Sequence, residues 1–315
     1  MKSSFKKLPG SKIELEVSLI KGEFLPYFQA VNDEALKSAH LKGFRPGTAP
    51  KEMAEAAVDK DKVFSEAVKS AVRWSLDEIT KDNEWTLIDA PKIEIKDTGD
   101  LGLQYKAELT VFPEVKLGNY KKIAKKVWGE KKESAVEQKE IDQVLEFIRN
   151  SRKEKDKEAP ELNDEFAKSL GKFENLEALK KNVSDGLLME KSAKEKERLE
   201  IKMLSEIIKD SEIDLPEVMV EKTFQRMEKQ YAPALKAAGK KPEEISKELR
   251  EKARENVASN LVVYKIAQAE KLEPTPEEIE KSMGSVENNE KYQYYYGIIQ
   301  QRKVFNFLES QQGNH

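Results

Sequence analysis

The apolar residues of this chain repeat with two different periods, and the period changes near Phe112-Pro113. Between residues 11 and 20, Ile13, Leu15, Val17 and Leu19 alternate with charged or small polar residues, as in a strand with one buried face. The other elements predicted before the change are helices over residues 21–39 and 50–81 and strands over residues 86–95 and 103–111. Residues 1–113 are therefore predicted to form an α+β domain.

After the change, the spacing is helical almost to the end of the chain. Residues 114–133 contain a cluster of six lysines: Lys121, Lys122, Lys125, Lys126, Lys131 and Lys132. Trp128 is the one aromatic residue among them, whereas readers of single-stranded nucleic acid interleave several aromatic residues. We therefore predict a solvated basic link between domains in preference to a nucleic-acid stripe. Residues 134–315 are predicted to form a second, helical domain.

The balance of charged and apolar residues limits how compact that helical domain can be. Charged residues make up 37% of the chain and hydrophobic residues 38%, against about 25% and 45–50% in average domains. Too few apolar residues are present to fill one large core. The helical domain is therefore expected to be elongated, with some apolar stripes facing a cleft.

The residues that would carry catalysis or ligate a metal are scarce. The chain has no cysteine and two histidines, His40 and His315, which argues against a thiolate nucleophile, a zinc site or a histidine-based triad. It has no phosphate-binding glycine motif, so no ATP site, cofactor or metal is predicted, and an enzyme is the weakest hypothesis. No stretch approaches the roughly 18 apolar residues of a membrane span and no secretory signal is visible, which predicts a cytoplasmic protein.

The loop over residues 43–50, with the sequence GFRPGTAP, is the sharpest local motif. Its glycines and prolines favour an irregular backbone. Phe44 offers an apolar anchor if it projects, and Arg45 offers a planar donor group for a carboxylate or phosphate. The alternative is an ordinary turn in which Phe44 folds back into the core.

This loop resembles the G-F-R-x-G-x-x-P signature of trigger factor, the bacterial ribosome-associated chaperone. Three later segments resemble the same family in the same order: residues 159–183, Ile213–Val220 at the start of an arm helix, and Lys303–Leu308 in the terminal helix. The resemblance covers nearly the whole chain. It implies an N-terminal ribosome-binding domain over residues 1–113 and a helical chaperone domain with arm-like helices over residues 134–315. The ribosome-binding residues that it implies are Gly43, Phe44, Arg45, Pro46, Gly47 and Pro50.

Two departures from the family pattern affect what the resemblance implies. The family usually has lysine after the Phe-Arg pair, whereas this chain has Pro46, so one positive charge is absent and the loop is stiffer. The family also usually inserts a prolyl-isomerase domain after the helix that ends near residue 155. Here that helix leads directly to Ala159-Pro160, so no isomerase domain and no isomerase activity are expected.

Two apolar groups in the helical region are candidate client-binding surfaces. Val220, Phe224, Met227 and Tyr231 recur at helical spacing, and flexible methionine suits promiscuous apolar contacts. The second group, near the C-terminus, consists of Tyr292, Tyr295 and Tyr296. For the helical stripe, packing and client contact are equally consistent with the sequence. For the tyrosines, packing comes first.

These observations predict an ATP-independent chaperone that acts by binding. It is expected to dock on the large ribosomal subunit near the exit tunnel, contacting ribosomal protein and rRNA, and to hold nascent or unfolded polypeptides. Exposed apolar surface would favour a homodimer away from the ribosome. The alternative is a helical scaffold that binds one specific folded partner.

Overall fold

A computed structural model describes residues 1–40, 44, 50–99, 102–153, 158–284 and 288–311. The chain divides into two compact units. The first consists of Met1–Val115 together with Ile213–Ala258, and the second of Lys116–Glu212 together with Ser259–His315. Both units are discontinuous in sequence.

The first unit contains a four-stranded antiparallel sheet with helices packed on one face. Its strands are β1 (Lys2–Leu8), β2 (Lys12–Leu19), β3 (Lys92–Asp97) and β4 (Leu103–Thr110), in the order β1-β2-β4-β3. Its first three helices are α1 (Lys21–Ser38), α2 (Lys51–Ala57) and α3 (Lys60–Asp82). The predicted α+β architecture is therefore confirmed.

The core of this unit follows from alternation along the two central strands. Leu15 of β2 lies opposite Ala107 of β4, and Val17 lies opposite Tyr105, so the buried residues share one face of the sheet. Phe24 of α1 completes the same core. The hydroxyls of Ser75 in α3 and Tyr105 are 2.7 Å apart, so the two polar groups that enter the core satisfy each other.

Several predicted boundaries differ from the structure. Strand β1 was not expected from the sequence, and the strand predicted over residues 86–95 forms at Lys92–Asp97, with Leu87 making one isolated bridge to Val111. The helix predicted over residues 50–81 is two helices, α2 and α3. The break falls at Asp59, whose side chain caps α3 by accepting hydrogen bonds from the amides of Asp61 and Lys62, as expected of an N-cap aspartate.

The first unit also contains the helix that bears the predicted client-binding stripe. Helix α8 (Glu217–Ala237) and the first part of helix α9 (Pro242–Glu270) belong to this unit and not to one compact domain over residues 134–315. The reason is that the segment before α8 is hydrogen-bonded to the β1–β2 turn. Helix α8 contains Pro233 and continues beyond it to Ala237.

The second unit is mainly helical. Its helices are α4 (Tyr120–Trp128), α5 (Gln138–Ser151), α6 (Asp164–Leu170), α7 (Leu176–Lys209), α10 (Pro276–Met283) and α11 (Asn289–Ser310), together with the end of α9. The short strands β5 (Val115–Lys116) and β6 (Glu212–Ile213) form a separate two-stranded sheet. Within the described ranges, no helix is both long and apolar enough to cross a membrane.

The lysine-rich stretch predicted as a solvated link over residues 114–133 contains a packed helix, α4. Ala124, Val127 and Trp128 are buried, so one face of α4 is apolar and the lysines occupy the rest. Lys121 Nζ lies 2.8 Å from a carboxylate oxygen of Glu270, and Lys126 Nζ lies 3.1 Å from one of Glu206. The number of lysines obscures this three-residue apolar face in the sequence.

Candidate functional site

The loop between α1 and α2 exposes its aromatic residue. Phe44 is 41% exposed and is not part of the core, so the alternative in which it folds back inward does not hold. Pro50 is the N-cap of α2, and its carbonyl accepts hydrogen bonds from the amides of Met53 and Ala54 at 3.0 and 3.1 Å. Gly43, Arg45, Pro46 and Gly47 lie outside the described residues.

The helices beside this loop form an aromatic support. The rings of Phe24 and Phe64 meet edge to face with their centroids 5.8 Å apart, and Phe28 lies 6.4 Å from Phe64. These contacts join α1 to α3, and Tyr27 and Trp74 form a further pair at 5.5 Å. Because α1 is fixed in this way, the loop that follows it begins from an ordered helix.

The predicted stripe on α8 changes from buried to exposed along the helix. Val220 is fully buried and Phe224 is 8% exposed, Met227 is half-buried, and Tyr231 is 45% exposed. Assigning Val220 and Phe224 to a client surface therefore disagrees with their positions, because buried side chains cannot contact a client. Met227 and Tyr231 keep a surface that a client could reach.

Arg250 of α9 covers one face of the Phe224 ring. Its guanidinium group lies over the Phe224 ring, 4.7 Å from the ring centroid, and donates hydrogen bonds to Glu217 at 3.1 Å and to Glu221 at 2.7 Å. The hydrogen bond from Arg250 is the main reason that the pKa of Glu221 is lowered. These contacts pair the start of α8 with α9 in an antiparallel sense.

The C-terminal tyrosines are also unequally exposed. Tyr292, Tyr295 and Tyr296 are half-buried, whereas Tyr294 is 65% exposed. The Tyr294 and Tyr295 rings meet nearly perpendicular, with centroids 5.6 Å apart. Burial, followed by nearby Glu273, raises the pKa of Tyr296. This group therefore combines packing residues with one projecting aromatic ring.

Other exposed apolar side chains of the second unit were not predicted from the sequence. They are Phe147 on α5, Leu188, Met189 and Ile201 on α7, and Ile298 on α11. Phe147 lies outside the buried positions Ile141 and Leu145 of its own helix, so a departure from the helical stripe was the signal that could have identified it. Among the residues placed in the structure, no cluster of three or more acidic, histidine or cysteine side chains could hold a metal ion.

Comparison with known proteins defines the class to which this chain belongs. Residues 1–148 match the family model of the bacterial trigger factor protein, and residues 175–314 match the model of the trigger factor C-terminus. The chain therefore belongs to the bacterial trigger factor family. The prediction of a ribosome-associated chaperone is confirmed at the level of the family.

Individual relatives agree with this assignment. Trigger factor of Caldicellulosiruptor bescii is 24% identical, with 86% of this chain and 84% of the relative covered, and trigger factor of Clostridium kluyveri is 24% identical, with 89% and 88% covered. A solved structure concerned with promiscuous substrate recognition by the trigger factor chaperone has a TM-score of 0.64. It is 16% identical and covers 98% of this chain and 99% of that one, which shows the fold.

The same comparisons bear on the isomerase domain. The two family matches leave residues 149–174 between them, and the described part of this segment includes the short helix α6. The alignment with the Caldicellulosiruptor bescii relative runs over 376 residues, whereas this chain has 315, so the relative has residues without a counterpart here. Both observations are consistent with the predicted absence of an isomerase domain.

Proposed function

We propose that this chain docks on the large ribosomal subunit beside the exit tunnel through the loop containing Phe44 and Arg45. The observation that carries the proposal is the exposure of Phe44 in the segment between the aromatic-supported helix α1 and helix α2, in the region that matches the family's N-terminal model. An exposed aromatic residue next to an arginine is typical of interface hot spots. Docking there implies that the protein acts in the cytoplasm.

Clients are held through separate exposed apolar side chains. Met227 and Tyr231 on α8 form one surface, and the tyrosines of α11, with Tyr294 the most exposed, form another. Each contact is weak, but several contacts on one client add together, and docking raises the concentration of this surface near emerging chains. Release then needs no ATP, and the same apolar surface favours a homodimer off the ribosome.

The chain acts on its clients without chemistry. The short connection between the two family-matched regions and the absence of a predicted catalytic group support this proposal. A short Xaa-Pro peptide should therefore isomerise at its uncatalysed rate in the presence of the protein. A saturable acceleration that scales with protein concentration would contradict this proposal.

Co-sedimentation with ribosomes tests the docking site. The triple change Phe44→Ala, Arg45→Ala and Pro46→Ala should sharply reduce binding and leave the fold intact, because exposed loop changes usually alter stability by no more than about 0.5 kcal/mol. Ile95→Ala is a matched control, since Ile95 is 42% exposed in the same domain but lies in β3. Equal binding of the triple variant and the wild type would refute the docking assignment.

Suppression of aggregation separates the chaperone from a scaffold. A chaperone should keep two unrelated denatured clients soluble, because its contacts are apolar and dispersed. Failure with both clients, combined with binding to one folded protein, would favour the scaffold.

A further inference from the structure

A carboxylate joins the segment before α8 to the sheet. Asp214 Oδ1 accepts a hydrogen bond from the Gly10 amide at 2.7 Å, and Oδ2 accepts one from the Ser11 amide at 2.6 Å. The Ser11 hydroxyl donates to the Asp214 carbonyl oxygen at 2.5 Å. Three hydrogen bonds, two of them to a charged acceptor, therefore connect the β1–β2 turn to a residue about two hundred positions away.

The turn is built in a way that suits this contact. Gly10 and Ser11 both have positive φ, at 79° and 54°. Glycine tolerates this conformation, but serine rarely adopts it. A second glycine would satisfy the backbone at position 11 but could not supply the hydroxyl that bonds to Asp214. Ser11 is also 8% exposed, so its hydroxyl needs this partner.

The segment from Asp214 to α8 is short and stiff. Pro216 is the N-cap of α8 and is itself buried, and a proline restricts the preceding residue to extended conformations. A second contact lies further along α8, where Lys222 Nζ is 3.6 Å from a carboxylate oxygen of Asp89. Asp214 lies before the helix and Lys222 within it, and the exposed Lys222–Asp89 pair adds little by itself, so the Asp214 contacts are the main polar link between this segment and the sheet.

We propose that Asp214 is a positioning residue for client binding, which sets the direction in which α8 leaves the docking domain. The inference rests on the proposed function, because Met227 and Tyr231 lie further along the same helix. Arg250 then holds α9 against α8, so residues 217–258 follow the direction that Asp214 sets. A client surface fixed in this way is preorganised relative to the ribosome, which favours binding.

A distance measurement tests the positioning directly. The chain has no cysteine, so cysteines introduced at Ser4 in β1 and Lys229 in α8, both exposed, can carry two spin labels. The wild type should give one narrow distance peak, and Asp214→Ala should lose it. Glu114→Ala is the matched control, because it removes an exposed carboxylate that pairs with Lys7 of β1, and its peak should stay narrow.

Two milder variants keep the test decisive if Asp214→Ala fails to fold. Asp214→Asn preserves the size of the side chain but places an amide donor opposite an amide donor, and Ser11→Ala removes the hydroxyl bond alone. Asp214→Asn should broaden the distance peak more than Ser11→Ala. If every folded Asp214 variant gives a distance peak as narrow as that of the wild type, the proposal is wrong.

Chaperone assays then connect position to function. Ribosome co-sedimentation of the Asp214 variants should equal that of the wild type. If α8 keeps its wild-type direction in about one third of the molecules of a variant, the chaperone concentration needed to hold a client should rise about threefold. Unchanged client holding with a broadened peak would refute the positioning role. If the wild type itself fails to bind ribosomes or clients, the proposed function fails, whereas the distance peaks still report on Asp214.

Discussion

Replacing Phe224 and Tyr231 one at a time should separate stability from client holding. Both residues belong to one helical stripe on α8, but Phe224 is buried under Arg250 and Tyr231 is nearly half exposed. Phe224→Ala is therefore expected to lower stability and leave client holding intact. Tyr231→Ser is expected to do the opposite. A variant that changes both residues together could not distinguish the two roles.

The size of the Phe224 effect follows from its surroundings. Phenylalanine-to-alanine changes in cores cost about 3–5 kcal/mol. We expect about 3 kcal/mol, because one face of the ring contacts a guanidinium group and Arg250 keeps both of its carboxylate partners after the change. For a unit of this size each kcal/mol shifts the melting temperature by about 2–4 °C, so the fall should be about 6–12 °C. Tyr231→Ser should cost about 1 kcal/mol or less.

Circular dichroism melts and aggregation suppression on two denatured clients measure the two effects. The client assay is run well below the lower melting temperature, so that both variants are folded. If Tyr231→Ser holds clients as well as the wild type, α8 is not a client surface, and Tyr294 becomes the next residue to test. If Phe224→Ala loses client holding at an unchanged melting temperature, the stripe faces clients along its whole length and the packing argument is wrong.

Three further outcomes follow from the structure. In Gly118→Ala the new Cβ would clash with the carboxylate and the carbonyl oxygen of Asp210, so thermal melts should show a clear loss of stability. Gly186→Ala is the matched control, because its Cβ would meet no atom within 4 Å, and it should be neutral or slightly stabilising. The pKa of Glu195 is lowered from 4.5 to about 2, mainly by its hydrogen bond to Arg198. The contribution of the ionised Glu195 to folding stability is therefore complete above about pH 4.5 and is lost as the pH falls toward 2, so Glu195→Gln should flatten the fall in melting temperature over that range. Burial raises the pKa of Tyr105 to about 12, so its phenol should stay protonated in an alkaline titration until close to that pH, and Tyr105→Phe should cost about 1 kcal/mol in a denaturant titration by removing the bond to Ser75.

Local patterns predicted most of the fold, and the misses have physical causes. Strand β2 was visible because Ile13, Leu15 and Val17 meet a core on one side and solvent on the other. Strand β1 carries only Phe5 and Leu8 as apolar residues, and its conformation is set by pairing with β2. In α4 the buried residues Ala124, Val127 and Trp128 have helical spacing, so that signal was present and the surrounding lysines obscured it.

The sequence predicted which residues share a face in the candidate site, but not how exposed each of them is. Helical spacing placed Val220 and Tyr231 on one face of a helix, and the structure keeps them on α8. The spacing could not show where burial ends along that face, because Arg250, which covers one side of Phe224, is about thirty residues away in sequence. The same limit applies to Tyr294, whose exposure depends on how the neighbouring tyrosines pack.

The high charge of this chain bears on the client surface that we propose. Met189 is followed by Glu190 and Lys191, and Ile201 stands between Glu200 and Lys202. Charged neighbours divide the exposed apolar residues into small groups, such as Leu188 with Met189, in place of one continuous apolar patch. An unfolded polypeptide can still contact several of them at once, whereas a folded protein presents few apolar residues at matching positions. Under the proposed function, charge therefore restricts the surface to clients that have not yet buried their own apolar residues.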